Sequence, residues 1–338
     1  IRDRLRAVVL VRPGLLELRE VPRPDPLPGG ALIAVKACGV CSSDVRMATQ
    51  GHPALVCPRI LGHEVVGVVA ESRHPGLREG TLVQVAPALR CGRCRACRAG
   101  RENRCPEVGI LGFTHDGGMA ELLFLPLEGS PRGNLNPLPS GLPPEEAVLA
   151  EPLACCLNAQ ELVGLREGER VLIVGGGPMG CLHALLARWR GAEVELVEPL
   201  EHRQRLARAT GARVLPPHEL LEGEGRVDVL ILASSEVALD ERLLRLLAPG
   251  GRVSLFSGLS PGTALHDLNV LHYREISLVG AYGCTASQCA RALELLAELR
   301  PAWLITRCLP LEGFGEALEH VRSRRGMKAV LLVEESDG

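Results

Sequence analysis

The chain has 338 residues, which is more than one ordinary hydrophobic core needs and enough for two domains. It is 46% hydrophobic with a formal net charge of −2, and no apolar run approaches the roughly 20 residues of a membrane span, so we expect a globular protein without a membrane segment. The near-neutral charge gives no indication of a nucleic-acid partner.

The 13 cysteines indicate where such a chain would function. In a chain of this length they are not typical of a secreted disulfide scaffold, and they favour a reduced compartment in which thiols bind metal. No signal-peptide pattern precedes Ala7. We therefore expect a cytoplasmic protein.

The first third of the chain is a series of short β-branched runs broken by glycine and proline. This pattern is typical of an all-β lobe. The predicted strands are Ala7–Val11, Leu15–Arg19, Ala31–Ala37, Val65–Ala70, Leu82–Ala86 and Ala120–Leu125.

Two short motifs in this lobe carry metal-binding side chains. Residues 39–44 (GVCSSD) offer a thiolate, two hydroxyls and a carboxylate, and residues 62–64 (GHE) offer an imidazole beside a carboxylate. Either motif alone has a plain explanation as a turn, because a single cysteine or histidine is more often structural than a ligand.

A cluster of four cysteines follows at Cys91, Cys94, Cys97 and Cys105. Four thiolates this close satisfy tetrahedral zinc and leave no open position, so the spacing predicts a closed structural zinc site. An iron–sulfur cluster is a second interpretation. The arginines threaded through the cluster could mark a nucleic-acid finger, but the lobe lacks stacking aromatics, and charges that keep an exposed loop solvated explain them as well.

After a proline-rich passage near residues 137–144 the pattern changes to alternating helices and strands, with a helical run from Pro143 that includes Glu151. Such alternation predicts a doubly wound α/β sheet. Beyond its first βαβ unit it comprises helix Glu201–Thr210, strand Val227–Ala233, helix Ala238–Leu247, a stop and turn at Pro249–Gly251, and strands Arg252–Ser257 and Ile276–Gly280. Beyond Gly283, helix Ser287–Leu299 and strand Ala329–Val333 are expected to return to the first lobe.

The βαβ unit at Arg170–Glu198 contains a glycine turn, Gly175-x-Gly177-x-x-Gly180, between a strand and a helix. The glycines allow a tight turn, close approach of a pyrophosphate and packing of the helix on the sheet, with the helix amides facing the anion. Glu198 ends the next strand, where a carboxylate binds an adenosine ribose and repels the 2′-phosphate of NADP. We therefore predict an NAD site formed by these residues together with Pro178 and Met179; the alternative is a turn that only joins strand to helix.

With these motifs in order along the chain, the sequence resembles the zinc-containing medium-chain alcohol dehydrogenases over nearly its whole length, and most closely their polyol (sorbitol) and threonine dehydrogenase branch. The resemblance rests on residues 39–44, Leu61–Glu64, the four cysteines, Glu151–Ala154 and the glycine turn. It implies a GroES-like, mostly-β catalytic domain (1–152, with a structural zinc lobe at 91–105), a Rossmann NAD-binding domain (153–284) and a return to the catalytic domain (285–338).

The resemblance also implies roles for individual residues. Cys41, His63 and Glu151 match ligands of a catalytic zinc, and Glu64 matches an acid that can replace water on the metal. Ser43 matches the hydroxyl that takes the substrate proton, Asp44 the acid that orients the imidazole, and Arg203 a residue that contacts the ribose. An exposed helix charge explains Arg203 as well.

The family chemistry is hydride transfer between NAD and a secondary alcohol, with an alcohol oxygen at the open position of the catalytic zinc. Two zinc ions per subunit and a homotetramer or homodimer are implied, with the strands at Arg252–Ser257 and Ile276–Gly280 as the candidate interface. Alternatives are an NADPH-using ketone or aldehyde reductase in biosynthesis, and a catalytically inactive nucleotide-sensing or nucleic-acid-binding protein.

The chain departs from this pattern at three places. Relatives often have a relay histidine where Arg46 stands, so the proton relay ends in water or passes through His52. An arginine–tyrosine pair used by polyol dehydrogenases is replaced by Gly283–Cys284, which disfavours sorbitol. Cys155 and Cys156 are rival third ligands to Glu151.

Overall fold

The computed structural model describes residues 3–25, 29–73, 77–126, 134–220, 223–259 and 268–334. It separates into two compact units: unit 1 comprises residues 1–154 and 284–338, and unit 2 comprises residues 155–283. Among the residues described, no helix is both long and apolar enough to cross a lipid bilayer.

Before residue 155 the chain forms mainly strands. They are β1 (Arg4–Arg12), β2 (Leu15–Pro22), β3 (Gly30–Val40), β4 (Arg59–Ile60), β5 (Glu64–Ser72), β6 (Leu82–Val85), β7 (Ala88–Leu89), β8 (Gly109–Ile110), β9 (Leu122–Pro126) and β10 (Leu135–Pro137). The helices are α1 (Ser42–Gln50), α2 (Arg95–Arg98), α3 (Pro144–Ala147) and α4 (Ala150–Leu162), the last of which continues into unit 2.

Strands and helices alternate in the rest of the chain. Unit 2 contains β11 (Arg170–Val174), α5 (Pro178–Trp189), β12 (Glu193–Val197), α6 (Glu201–Ala207), β13 (Arg213–Leu215), β14 (Val227–Leu232), α7 (Glu241–Leu246), β15 (Leu247–Leu255), α8 (Asn269–Arg274) and β16 (Ser277–Gly280). Back in unit 1 follow α9 (Ala286–Leu299), β17 (Ile305–Pro310), α10 (Phe314–Arg322) and β18 (Lys328–Leu332).

Unit 1 is built on a sheet of order β10-β6-β5-β3-β18-β17, with β9 also paired to β3. The strand β18 lies antiparallel to β3, so the segment after residue 284 adds strands to a sheet begun before residue 155. Fully buried aliphatic side chains such as Leu10, Ile33, Val65 and Leu331 form its core. Smaller sheets of order β2-β1-β4 and β7-β8 complete the unit.

The prediction of an all-β first lobe is wrong in its details, because helices belong to unit 1 as well. Residues 39–44 read as a turn, but α1 begins immediately after Cys41, where the Asp44 carboxylate accepts a hydrogen bond from the Cys41 backbone N–H at 2.9 Å. This reciprocal cap satisfies an amide at the helix start. Strand β17 and helix α10 were not predicted from the sequence.

Unit 2 is a parallel sheet of order β13-β12-β11-β14-β15-β16. This is the strand order of dinucleotide-binding domains, in which ligands bind at the carboxyl ends of the strands, where the order reverses beside the first strand. The first strand is β11, so the glycine turn that follows it lies at this crevice.

Two local predictions in unit 2 are wrong. The helix expected at Ala238–Leu247 covers only Glu241–Leu246, and Pro249–Gly251 lies within β15 instead of forming a stop and turn. The ladder shifts register between Val227↔Leu247 and Val229↔Arg252, and Gly250 has a φ of +78°. The proline and glycine are therefore accommodated in a bulge, and pairing resumes at Arg252. Helix α8 was also not predicted.

Candidate active site and cofactor-binding turn

A buried polar cluster lies where β3 runs into α1 and where β5 begins. The ligand atoms of Cys41, His63 and Glu64 lie within 4.8 Å of one another. A thiolate, an imidazole and a carboxylate at this spacing are the donor types that zinc takes in proteins.

Asp44 supports this cluster from the first turn of α1. It is fully buried, and its Oδ1 lies 3.6 Å from Nδ1 of His63. Neither atom has a hydrogen-bond partner among the described residues, so a small closing movement would pair them and leave Nε2 of His63 free for a metal. Burial alone would lower the pKa of His63, but the Asp44 carboxylate and Cys41 outweigh it and raise that pKa well above its ordinary value.

Glu64 is held by a residue that the sequence analysis did not identify. Lys328 forms an ion pair with Oε1 of Glu64, and both residues are buried. Burial lowers the pKa of Lys328, but Glu64, with Cys41 and Glu151, overrides this effect and raises the pKa. The one feature of the sequence that could have drawn attention to Lys328 is its rarity, because it is one of only two lysines among 38 lysine and arginine residues.

The sheet register explains why these two residues meet. Glu64 on β5 lies opposite Gly39 on β3, and Gly39 lies opposite Val330 on β18. A Cβ at Gly39 would stand 2.0 Å from Oε2 of Glu64, so the glycine leaves the space that this carboxylate occupies. The second oxygen of Glu64 is buried without a hydrogen-bond partner among the described residues.

The remaining predicted residues lie around this cluster. Ser43 Oγ is buried and makes no hydrogen bond within the described part of the chain, whereas Arg46 is exposed. The His52 ring is exposed and packs edge-on against Phe113 at 5.4 Å, and Phe113 in turn lies 5.6 Å from the His63 ring.

Glu151, at the start of α4, does not share the mutual 4.8 Å spacing of Cys41, His63 and Glu64 among the described residues. It is buried, and a carboxylate oxygen lies within 4.8 Å of Sγ of Cys284. It nevertheless acts electrostatically on the buried Lys328, as Cys41 and Glu64 do, so all four residues lie in one neighbourhood of unit 1. The sequence analysis had assigned Cys284 no role beyond its difference from polyol dehydrogenases.

The four-cysteine lobe, residues 91–105, brings its thiols together. The Sγ–Sγ distances are 3.5 Å for Cys94–Cys97, 3.5 Å for Cys91–Cys105 and 4.0 Å for Cys91–Cys97. Four sulfurs at zinc–sulfur distances of about 2.3 Å in a tetrahedron lie about 3.8 Å apart. These thiols therefore fit one metal ion such as zinc; in a [4Fe–4S] cluster each thiol would bind a different iron, and the four would lie farther apart.

The thiols of the lobe differ in how readily they ionise. Hydrogen bonds from the backbone of Arg93 and Cys94 lower the pKa of Cys91 to about 7, whereas burial and the Cys94 thiol raise the pKa of Cys97 to about 12. A thiolate is the form that binds zinc, so Cys91 is the thiol better prepared to bind a metal near neutral pH.

In unit 2 the glycine turn connects β11 to α5. Gly175 has a φ of +108°, and a Cβ at Gly180 would stand 1.7 Å from the Gly175 carbonyl oxygen, so both positions require glycine. Helix α5 starts at Pro178, followed by Met179, directly after the glycine turn, and Gly177 is its N-cap residue. The turn therefore has the form of a phosphate-binding helix N-terminus.

Two charged side chains border this turn. The Glu198 carboxylate follows β12 and accepts hydrogen bonds from the backbone N–H groups of Gly176 and Leu200, each at 2.9 Å. Arg203 on α6 is 8% exposed, and its guanidinium would be 3.4 Å from a Cβ at Gly177. The alternative reading of Arg203 as an exposed helix charge is therefore wrong.

Comparisons with known proteins agree with these features. Residues 27–130 match the family model of the alcohol dehydrogenase GroES-like domain, and residues 178–298 match that of zinc-binding dehydrogenases. An uncharacterized zinc-type alcohol dehydrogenase-like protein of Haemophilus influenzae is 32% identical, covering 92% of this chain and 93% of that protein. L-threonine 3-dehydrogenase of Pyrococcus horikoshii is 34% identical over 83% of this chain and 84% of that enzyme.

A solved structure is similar throughout. The structure described as a zinc-binding dehydrogenase from Sinorhizobium meliloti, bound to NADP, has a TM-score of 0.87 and 30% identity and covers 98% of this chain and 100% of its own. Fold, motifs and relatives agree: the chain belongs to the zinc-containing medium-chain alcohol dehydrogenase family, combines a GroES-like with a Rossmann domain, and is an oxidoreductase that acts on alcohols with zinc and NAD(P).

Proposed function

We propose that this enzyme interconverts a secondary alcohol, either polyol-like or a β-hydroxy compound, with its ketone, and that NAD is the hydride acceptor. The observation that carries the proposal is the cluster of Cys41, His63 and Glu64, whose ligand atoms lie within 4.8 Å of one another and in which Nδ1 of His63 and Oε2 of Glu64 are buried without a hydrogen-bond partner among the described residues. Buried polar atoms without partners are costly, so their retention favours a bound ion.

In this proposal Cys41, His63 and Glu151 hold the catalytic zinc, and Glu64 is an alternative ligand. Zinc in this position would supply Lewis acidity toward the alcohol oxygen, while NAD would accept the hydride. Asp44 orients the His63 ring, and Lys328 holds one oxygen of Glu64. Cys91, Cys94, Cys97 and Cys105 hold the structural zinc.

Ser43 holds and passes on the substrate proton in this scheme. Its buried hydroxyl has no competing hydrogen bond among the described residues. Arg46 cannot continue the relay, because a guanidinium does not release its proton near neutral pH. The proton leaves to water or through His52, which is exposed in the same unit.

The zinc assignment is tested by replacing ligands one at a time. Cys41→Ala and His63→Ala should abolish NADH formation while NADH binding and the lobe zinc remain, and Cys308→Ala, at an exposed cysteine, is the matched control. A mild chelator should remove one zinc with loss of turnover and leave the protein folded. Full turnover in either ligand variant would refute the assignment.

The substrate class is tested by NADH formation, measured across polyols, β-hydroxy amino acids including L-threonine, and simple secondary alcohols. A signal confined to simple alcohols would refute the proposed class. Because the P. horikoshii relative is a threonine dehydrogenase, L-threonine is the first substrate to test.

NAD is preferred over NADP because the Glu198 carboxylate lies beside the glycine turn, where it would repel a 2′-phosphate. Both of its oxygens accept backbone amides, but a carboxylate has about four lone-pair sites, so it can also accept ribose hydroxyls. Glu198→Gln should improve NADP use relative to NAD, and Glu201→Gln, an exposed acid of the next helix, should change nothing. An unchanged cofactor ratio in Glu198→Gln would remove this reason for choosing NAD.

A second candidate function is an NADPH-dependent ketone or aldehyde reductase. It is favoured by Arg203, whose buried guanidinium lies over the glycine turn and could bind a 2′-phosphate, and by the relative solved with NADP. Titration of the purified enzyme with NADH and NADPH separates the two candidates, because tighter NADPH binding would favour the reductase.

Three further features belong to the proposal. Unit 1 is the catalytic domain and unit 2 the NAD-binding domain, with residues 285–338 returning to the catalytic domain.

The subunits form a homotetramer or homodimer through the edge strand β16, near which Tyr273 and Tyr282 are 80% and 66% exposed. Light scattering should give a dimeric or tetrameric mass that Tyr273→Glu lowers. The enzyme is cytoplasmic, which its 13 free thiols favour.

A further inference from the structure

Glu102 is a buried carboxylate inside the four-cysteine lobe. It starts a short 3₁₀ turn (Glu102–Arg104) three residues before Cys105 and is 6% exposed. Its Oε1 accepts a hydrogen bond at 3.0 Å from the guanidinium of Arg90, the residue directly before Cys91. This bond joins Glu102, near the end of the zinc-binding stretch, to Arg90 at the beginning of that stretch.

The same oxygen of Glu102 also bonds to a distant part of unit 1. It accepts the backbone N–H of Ala286, the first residue of α9, at 2.9 Å. Thr285 and Gln288 cap the same helix start reciprocally, with bonds of 2.9 and 3.2 Å. An anionic acceptor at a helix N-terminus is favoured by the helix dipole, so Glu102 anchors α9 to the lobe.

The start of α9 determines where Cys284 lies. Cys284 precedes the cap residue Thr285, and its Sγ packs 3.6 Å from Sγ of Cys289, one turn into the helix. These are the two positions at which apolar side chains fix the entry of the chain into a helix. Cys284 is buried, and its sulfur lies within 4.8 Å of a carboxylate oxygen of Glu151.

We propose that Glu102 is a positioning residue that couples the lobe metal to Glu151, and through it to the exchangeable metal. The coupling runs from the lobe through Glu102 to the first turn of α9, then through Cys284 to the Glu151 carboxylate. Glu102 touches neither substrate nor cofactor. The inference rests on the proposed function only in taking Glu151 as a ligand of the catalytic metal.

The test uses the full-length protein with cobalt in the exchangeable site and zinc in the lobe. The readouts are the visible absorption spectrum of the cobalt and its affinity, measured by competition with a chelator. Glu102→Gln should shift the spectrum and weaken the affinity at least about fivefold, a loss of about 1 kcal/mol, with one zinc per chain retained in the lobe. Glu107→Gln, at an exposed acid two residues after the lobe, should leave both readouts unchanged.

A second variant breaks the bond between the lobe and α9 from the side of the helix and displaces the Glu102 carboxylate that accepts it. Ala286→Pro removes the N–H that Glu102 accepts, and proline is tolerated at the first position of a helix. Thr285 already has the extended backbone that a following proline requires, with φ −97° and ψ 161°. This variant should reproduce the shift of the cobalt spectrum with the lobe zinc in place. If Glu102→Gln releases the lobe zinc, Ala286→Pro is the variant that tests the coupling.

The outcomes separate this inference from the proposed function. If the unaltered protein binds cobalt as expected but Ala286→Pro leaves its spectrum and affinity unchanged, the coupling is refuted and the proposed function stands. If the unaltered protein binds no exchangeable metal, the proposed function fails and the coupling fails with it.

Discussion

The buried histidine of helix α5 should make the stability of unit 2 depend on pH. His183 is fully buried, and its Nδ1 lies 3.3 Å from Nε2 of Gln160. Its ring packs edge-on against Phe256, with 4.5 Å between the ring centroids. Burial lowers its pKa to about 3, against 6.5 for an ordinary histidine. The folded state therefore keeps the ring neutral at pH values where the unfolded chain protonates it.

The size and direction of the effect follow from these two pKa values. Because the folded-state pKa is lowered, the stability that comes from keeping His183 neutral is fully present above pH 6.5. That stability is lost as the pH falls toward 3. At pH 5 the unfolded chain is mostly protonated at this residue and the folded protein is not. We expect the free energy of unfolding to be about 2 kcal/mol smaller at pH 5 than at pH 8 from this residue alone.

The assay is urea unfolding of unit 2 followed by the fluorescence of Trp189, which lies on the same helix as His183. Replacing Trp303 of unit 1 by phenylalanine leaves Trp189 as the single tryptophan. In this background His183→Gln should reduce the drop between pH 8 and pH 5 by about 2 kcal/mol, whereas His218→Gln, at an exposed histidine of unit 2, should not. Parallel pH profiles for the parent and His183→Gln would refute the reasoning.

Three further predictions concern the sites. Gly180→Ala places a Cβ 1.7 Å from the Gly175 carbonyl oxygen and should weaken NADH binding at least about tenfold in fluorescence titrations, whereas Gly280→Ala, where nothing lies within 4 Å, should not; equal affinities would contradict the packing argument. Lys328→Met leaves the Glu64 carboxylate buried without its partner and should cost about 3–5 kcal/mol of stability in thermal unfolding, and adding Glu64→Gln should restore part of it; equal losses in the single and double variants would contradict the pairing. Cys94→Ser should remove one zinc per chain by elemental analysis and lower the unfolding temperature, and unchanged zinc content would show that the lobe does not hold the metal.

Local chemistry made several features predictable from the sequence. The four cysteines of the lobe are close together because they lie within 15 residues of chain, and their Sγ–Sγ distances of 3.5–4.0 Å agree with the zinc reading. The glycine turn was predictable for the same reason. Gly175 has a positive φ and Gly180 lies against the Gly175 carbonyl oxygen, so the need for glycine arises within the turn itself. Pattern alone failed at Pro249–Gly251, because a bulge and a turn contain the same residues.

Other features are decided only by which strands and helices become neighbours. Lys328 meets Glu64 across 264 positions because β18 inserts beside β3, and Glu102 meets Ala286 across 184 positions because α9 starts at the lobe. Nothing in the spacing or periodicity near these residues indicates their partners. The sequence by itself determined the donor types and their local groups, whereas the tertiary structure determined which buried charges face each other, because that depends on sheet order and on where the chain returns.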